Sequence, residues 1–391
     1  MTVGTRRAAT LKDVAESVGV STATVARVIH ANGYVAVKTR RRVEAAISET
    51  GYHLNAVAQG LRKQRTFTLG HVLQSIAPNP FFAGVALGVE QEAAAHGCGV
   101  LLANTQGDPA RECLAVETLL QRRVDAIIFT TVVDAASVRL ALGAGTPVVQ
   151  VERVSPIPTH SVTIDNAAGA MAATEHLIAF GHRRIAYIGV DPEAVPGSAL
   201  PSERRIVERE RLDGYRDALR RHRLPIAPDL VALQEAYYAL TETRAVVREF
   251  LSRPRSRRPT AIFAACDMMA AAVLQEAAEH GCRVPDDLSV VGFDDTYASH
   301  LSPPLTTVAQ PMIAIGQTAA RLALEALNDG GGAAAPRTAR LAAHLVIRSS
   351  TGRVPVDPPL LVREDQGKPS AIEDERHGGE ASSAGAKEGI W

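Results

Sequence analysis

The sequence predicts a two-part chain: an all-α helix-turn-helix headpiece at the N-terminus, then an α/β core of two parallel-sheet lobes. Three observations carry that prediction. The 391 residues are too many for one hydrophobic core and suit a small domain plus a larger bilobed one. Residues 10–29 place apolar positions at helical spacing on both sides of Gly19-Val20-Ser21. From Thr66 onward the pattern changes to short apolar strands alternating with alanine-rich helical segments, which implies parallel sheets covered on both faces.

The first helix begins after Thr10, which can cap it, with Asp13 in the first turn where a negative charge suits the helix dipole. Val14 and Val18 lie four apart and can bury together, and Ala15 is small enough for a second helix to cross close by. Gly19 supplies the left-handed residue that ends the helix. Ser21 caps a second helix, with Val25, Val28 and Ile29 facing back to the first. Two short helices crossing at a glycine turn form the unit that sets its second helix in a DNA major groove. On the exposed face of that helix Thr22, Ala23 and Arg27 can meet base edges, and Arg27 has the fork that bonds guanine. A third helix, read as capped, runs from Lys38 with Arg40, Arg41 and Arg42 in its first turn. The dipole disfavours cations there, a cost that makes sense beside phosphates. Charge agrees. Residues 1–65 hold eleven basic residues against four acidic ones, so +7 there and −7 in the remainder hide behind an overall balance of 42 to 42. A basic headpiece on an acidic body fits nucleic acid as partner.

In the core the strands read Thr68–Leu73, Gly99–Ala103, Ala126–Phe129, Pro147–Val151, Ile185–Gly189, Ala261–Ala264 and Leu288–Gly292. Helical segments between them include Phe82–His96, Asn166–Phe180, Met268–His280 and Ile313–Leu327. Ligands of such sheets bind outside the carboxyl ends of the strands. Residues 353–391 are rich in Pro, Gly, Ser and Glu and read as a disordered tail, with no leucine heptads for a coiled coil.

Several classes are excluded. No apolar run approaches the ~18–20 residues of a membrane span, and no apolar signal region follows Met1. Cys98, Cys113, Cys266 and Cys282 lack Cys-x-x-Cys spacing and read as buried thiols rather than disulfides or metal ligands. Nucleophile-elbow, zinc-protease, phosphate-loop and dinucleotide motifs are missing, so neither catalytic residues nor a cofactor is expected.

Four blocks carry a resemblance: Thr10-Leu-Lys-Asp-Val-Ala; Val20-Ser-Thr-Ala-Thr-Val-Ala-Arg-Val-Ile; Gly51-Tyr-His-Leu-Asn-Ala-Val-Ala-Gln-Gly-Leu61; and Val291-Gly-Phe-Asp-Asp295 with Pro303-Pro-Leu-Thr-Thr-Val. From about residue 10 to residue 352 the chain resembles the lactose-repressor (LacI/GalR) family of bacterial transcription regulators. Ala26 departs from the pattern, since family members usually carry serine there. The resemblance implies lobes like those of periplasmic sugar-binding proteins, joined by crossovers near residues 163, 308 and 342. It divides the chain into a headpiece at 1–66 with a hinge helix at 55–62, and a core at 67–352 for effector binding and dimerisation. Lobe one takes about 67–163 and 309–341, and lobe two about 164–308 and 342–352. The DNA-facing residues it implies are Thr10, Ser21, Thr22, Ala23, Thr24, Arg27, His30, Arg40, Asn55, Ala58 and Leu61. Leu61 stands among Gly60, Arg62 and Lys63, an odd place for an apolar side chain unless it is a minor-groove wedge.

For the effector the candidates are Phe81, Phe82, Asp165, Arg211, Tyr238 and Asp267. Asp267 opens the helix after the strand Ala261–Ala264 and can cap it; the resemblance adds an effector contact. Arg211 matches the family's effector arginine before a Gly-aromatic pair, with Arg209 as the alternative after a long 190–211 segment. Asp165 can cap a helix or touch ligand. One of Phe81 and Phe82 can stack on a sugar or base while the other packs inside. Tyr238 matches a pocket aromatic, although Tyr237 leaves the register open. Asp294 and Asp295 suit capping and hinge hydrogen bonds. A carboxylate facing a guanidinium suits a polyol, so a sugar or sugar derivative is favoured over a nucleobase. The expected function is a cytoplasmic, homodimeric transcription regulator, most simply a repressor, on a palindromic operator, with no membrane association. Two rivals remain open: a ligand-binding protein of the periplasmic type, and a regulator whose cleft binds a protein or nothing. Whether an effector releases DNA or promotes binding is also open.

Overall fold

The computed structural model describes residues 9–30, 32–52, 65–193, 206–235, 240–328 and 335–354. The hinge segment with Asn55, Ala58 and Leu61, residues 194–205, Tyr237, Tyr238 and residues 355–391 lie outside the described residues.

Among the described residues the headpiece has three helices, α1 (Leu11–Val18), α2 (Thr22–Ile29) and α3 (Val37–Thr50). Thr10 and Asp13 close a reciprocal capping box at the start of α1, and Gly19 ends it at φ 70°. Ser21 caps α2 by accepting from the Thr24 amide. Val14, Ala15, Val18, Val25, Val28, Val43 and Ala46 form the core between the three helices, which is where the apolar spacing put its first two members. One expectation fails: α3 has no side-chain cap. It starts at Val37, so Thr39 already lies inside the first turn.

The core contains two six-stranded sheets. Sheet one orders its strands β11-β5-β4-β3-β1-β2, where β1 is Thr68–Leu73, β2 Gly99–Asn104, β3 Ala126–Thr130, β4 Val148–Val151, β5 His160–Ile164 and β11 Thr338–Leu341. All its pairs are parallel. Sheet two runs β12-β10-β9-β8-β6-β7, with β6 Ile185–Val190, β7 Val231–Gln234, β8 Ala261–Ala264, β9 Ser289–Asp294, β10 Thr306–Ala309 and β12 His344–Val346. Here β12 pairs antiparallel with β10, a departure from the all-parallel expectation. It enters sheet two directly from β11 of sheet one after only two residues. The five strands missed in the sequence are β5, β7, β10, β11 and β12, each three to five residues long.

Helices cover both sheets. On sheet one α4 (Pro80–Ala95) packs with α11 (Met312–Asn328), and α5 (Pro109–Gln121) packs with α6 (Ala135–Gly143). On sheet two α7 (Asn166–Ala179) packs with α8 (Ile206–Arg221), and α9 (Leu240–Ser252) with α10 (Asp267–Glu279). The α4–α11 crossing is so close that a Cβ on Gly88 would lie 2.1 Å from the Ile313 carbonyl oxygen, and one on Gly316 2.1 Å from that of Val85. The chain changes sheets three times: at Asp165, after Ala309, and between Leu341 and His344. No described helix is long and apolar enough to cross a membrane, and no cluster of metal-ligating side chains occurs among the described residues. Cys98, Cys266 and Cys282 are buried free thiols, while Cys113 is only half-buried.

Candidate DNA interface and effector cleft

In the headpiece Thr22, Ala23, Arg27 and His30 are exposed on α2. Ser21 and Thr24 are joined by a 2.9 Å hydroxyl contact. Thr10 Oγ1 is engaged with Asp13 at 2.8 Å. A Cβ on Gly33 would come within 3.7 Å of Arg27 Cδ, so the aliphatic stem of Arg27 rests on the loop after α2 and its charged end stays in solvent. The three arginines of α3 divide their roles. Arg41 and Arg42 are exposed and Arg40 half-buried, but Arg42 also donates to the Val18 carbonyl at 2.6 Å. That bond satisfies an orphan carbonyl at the C-terminus of α1, so Arg42 ties helices together and is not a simple phosphate contact. Tyr34 is 92% exposed in the same loop. Nothing in a single sequence separates it from a buried tyrosine.

In the core the carboxyl ends of the strands meet between the lobes. Five non-glycine residues at or just beyond strand ends take left-handed φ: Gln106 (56°), Thr131 (65°), Glu152 (64°), Asp294 (115°) and Asp295 (56°). Backbone strain of this kind collects at functional sites. Arg211, in α8, is 2% exposed. Its Nε donates to Asn166 Oδ1 at 2.9 Å, its Nη1 donates to the Ala265 carbonyl at 2.7 Å, and its guanidinium lies 3.8 Å from the Phe293 ring centre. Asp294 Oδ1 stands 3.6 Å from Arg211 Nη1 and accepts from Gln310 Nε2 at 2.7 Å. Burial pushes the Asp294 carboxyl up, and the Arg211 charge opposes that rise.

Asp267 lies at the start of α10 and is fully buried. Its Oδ1 accepts from Thr307 Oγ1 at 2.6 Å and its Oδ2 from the Thr296 amide at 2.9 Å. The two oxygens therefore brace strand β10 and the loop after β9. Burial, then the nearby Asp294 charge, raises its pKa well above the usual carboxylate range. Asp165 caps α7 by accepting from the Ala168 amide, and it also pairs with Arg340 at 3.1 Å. Phe81 and Phe82 meet edge to face at 5.4 Å, and both are buried in the core. Asp295 pairs with Arg348 at 2.8 Å.

The structure thus assembles Arg211 with Asp294 and places Asp267 behind them. It adds residues that the sequence reading did not select: Gln310, Asn166, Thr307, Arg153 and Glu208. Arg153 from the end of β4 donates to Glu208 Oε1 of α8 through Nη2 at 2.7 Å and Nε at 3.1 Å. Burial alone would raise the Glu208 pKa, but the Arg153 charge and bonds hold it lowered. Only the Gly-Phe-Asp-Asp block around Asp294 carried a signal that could have found the rest, because Gln310 and Thr307 follow it on the neighbouring strand.

Comparison with known proteins agrees with this geometry. The model of bacterial regulatory proteins of the lacI family matches residues 10–55, and that of a periplasmic binding protein-like domain matches residues 174–351. The chain is 34% identical over 348 residues to the HTH-type transcriptional regulator DegA of Bacillus subtilis (strain 168), covering 88% of this chain and 98% of that one. Among solved structures, the lac repressor dimer bound to operator and the anti-inducer ONPF superposes with a TM-score of 0.69 at 30% identity, over 88% of this chain and 100% of that one. A complex of the transcriptional regulator CelR with cellobiose superposes with a TM-score of 0.63 at 33% identity, over 88% of this chain and 99% of that one.

Proposed function

The chain belongs to the lacI family of bacterial regulatory proteins, and on that premise we propose that it is a cytoplasmic repressor that binds a palindromic operator as a homodimer under control of a sugar or sugar derivative. DNA-binding regulation, not enzymatic chemistry, is the activity of the family. The observation that carries the effector reading is the buried Arg211–Asp294–Gln310 group at the strand ends between the lobes. Guanidinium, carboxylate and amide set side by side bind adjacent hydroxyls through both donors and acceptors. A stacked nucleobase has less support: Phe81 and Phe82 present no open face, and Arg211 covers Phe293.

On the DNA side Thr22, Ala23 and Arg27 read bases from the exposed face of α2, and Arg40 and Arg41 serve phosphates. Residues 55–62 form a hinge helix on operator, with Leu61 wedged into the minor groove; two turns are too few to be stable alone in water. Lobe rotation in the dimer then separates the two hinge copies and releases the DNA.

Two experiments test this. In a thermal-shift screen of sugars and nucleosides, a ligand at 100 times its Kd stabilises by ~2.7 kcal/mol; a nucleoside hit with no sugar hit overturns the effector class. In a binding-site selection the wild type should return a palindrome, and Arg27→Ala should relax one position in each half-site. A selected site without dyad symmetry overturns the dimer reading.

A further inference from the structure

Resting on the lobe-cleft reading above, we propose that the Arg153–Glu208 ion pair is a latch between the two lobes and that the first turn of α8 transmits lobe movement to Arg211. Arg153 follows β4 in sheet one, while Glu208 belongs to a helix packed on sheet two. The pair is not a surface contact: the two side chains are 14% and 4% exposed, with 2.7 Å between Nη2 and Oε1. Removing one partner of a buried pair leaves an uncompensated charge, so such a pair resists being pulled apart.

Both ends are braced. In lobe one Arg153 Nη1 also meets Glu152 Oε2 at 3.0 Å, and Thr131 Oγ1 donates to that same oxygen at 2.7 Å. Thr131 and Glu152 are two of the residues held at left-handed φ, so lobe one carries backbone strain at the point that presents the guanidinium. In lobe two Glu208 lies in the first turn of α8, where the helix dipole favours a carboxylate. A second ion pair from the start of the next turn, Arg340 with Glu210 at 3.5 Å, again joins sheet one to α8. Arg211 is on that second turn, three residues after Glu208, and is fixed to Asn166, Ala265 and Asp294 of its own lobe.

Lobe one therefore grips α8 through Glu208 and Glu210, and the arginine that faces Asp294 is one residue beyond. Rotating the lobes loads the two glutamates and moves the backbone that carries Arg211. The Arg153 bonds to Glu208 both fall on Oε1, while Oε2 is buried without a hydrogen-bond partner among the described residues, so the bridge hangs on one oxygen and can be remade when the cleft changes.

The test uses the full chain without added ligand. Hydrogen exchange of residues 148–153 and 206–212 should rise severalfold in Arg153→Met and in Glu208→Gln. Affinity for a selected DNA site should shift in the same direction in both single variants, by about five- to hundredfold, and the double variant Arg153→Met/Glu208→Gln should shift no further. Unchanged exchange in the single variants, or shifts that add in the double variant, overturn the latch. If the wild type selects no DNA site, the regulatory reading fails, while the exchange experiment still decides whether the lobes are latched.

Discussion

Replacing Asp267 separates a bracing carboxylate from a ligand contact. In Asp267→Ala, the Thr307 hydroxyl loses a 2.6 Å acceptor and the Thr296 amide a 2.9 Å one. Hydrogen bonds to a charged group contribute roughly 1.5–3 kcal/mol, and a buried amide left without a partner costs about 1–3 kcal/mol. Removing a carboxylate next to Asp294 offsets part of this, because burial and that neighbour already disfavour its charge. The net loss should be about 2–4 kcal/mol, which lowers the melting temperature of the core by roughly 5–12 °C. Asp267→Asn is different. Its amide oxygen can take the Thr296 N–H, and its NH2 can donate to Thr307 Oγ1, since a hydroxyl accepts as readily as it donates. The negative charge is gone, so the cost should be ~1 kcal/mol or less. Thermal melts followed by far-UV circular dichroism, side by side at pH 7, give the comparison. If Asp267→Asn melts as low as Asp267→Ala, or if Asp267→Ala is neutral, the bracing role is wrong.

Three further outcomes follow from the same structure. Gly88→Ala forces apart α4 and α11 at the Ile313 carbonyl and should cost at least about 2 kcal/mol; an unchanged melting curve would show that the crossing is looser than drawn. His182 bonds Thr260, Ser289 and the Gly352 carbonyl, and burial pushes its pKa down to about 4 from 6.5. A depressed histidine contributes stability that is present above pH 6.5 and lost as the pH falls toward 4, here about 3 kcal/mol. His182→Gln should therefore flatten denaturant-measured stability between those pH values, and an unaltered acid limb would assign the loss elsewhere. Arg41→Ala should weaken binding to all DNA alike and reduce the salt slope by about one, whereas Arg42→Ala should lower headpiece stability through the lost Val18 bond; equal salt slopes for the two variants would erase that division.

Much of the architecture was legible in the sequence because it is local. Thr10, Asp13, Gly19 and Ser21 act within four residues of their partners, so their types and spacing specify caps and a turn. Strands such as Ala126–Thr130 and Ile185–Val190 are buried throughout and read as continuous apolar runs. The edge strand β2, by contrast, was found from composition although most of its residues are exposed.

What tertiary structure alone decided is the pairing of distant groups. A basic first turn in α3 says nothing about which arginine bonds another helix, and only the approach of α1 gives Arg42 a carbonyl. Asp267 looks the same in sequence whether or not a threonine lies against it, and only the packing of β10 brings Thr307 within 2.6 Å. Glu208 and Arg211 lie in one mixed charge run whose spacing resembles a solvated helix face, yet both are buried. Their partners come from Arg153 and Asp294, far away in the chain. Sequence determines which short segments can form; burial and charge pairing between segments are properties of the packed lobes, and they choose among the polar residues which ones carry the site.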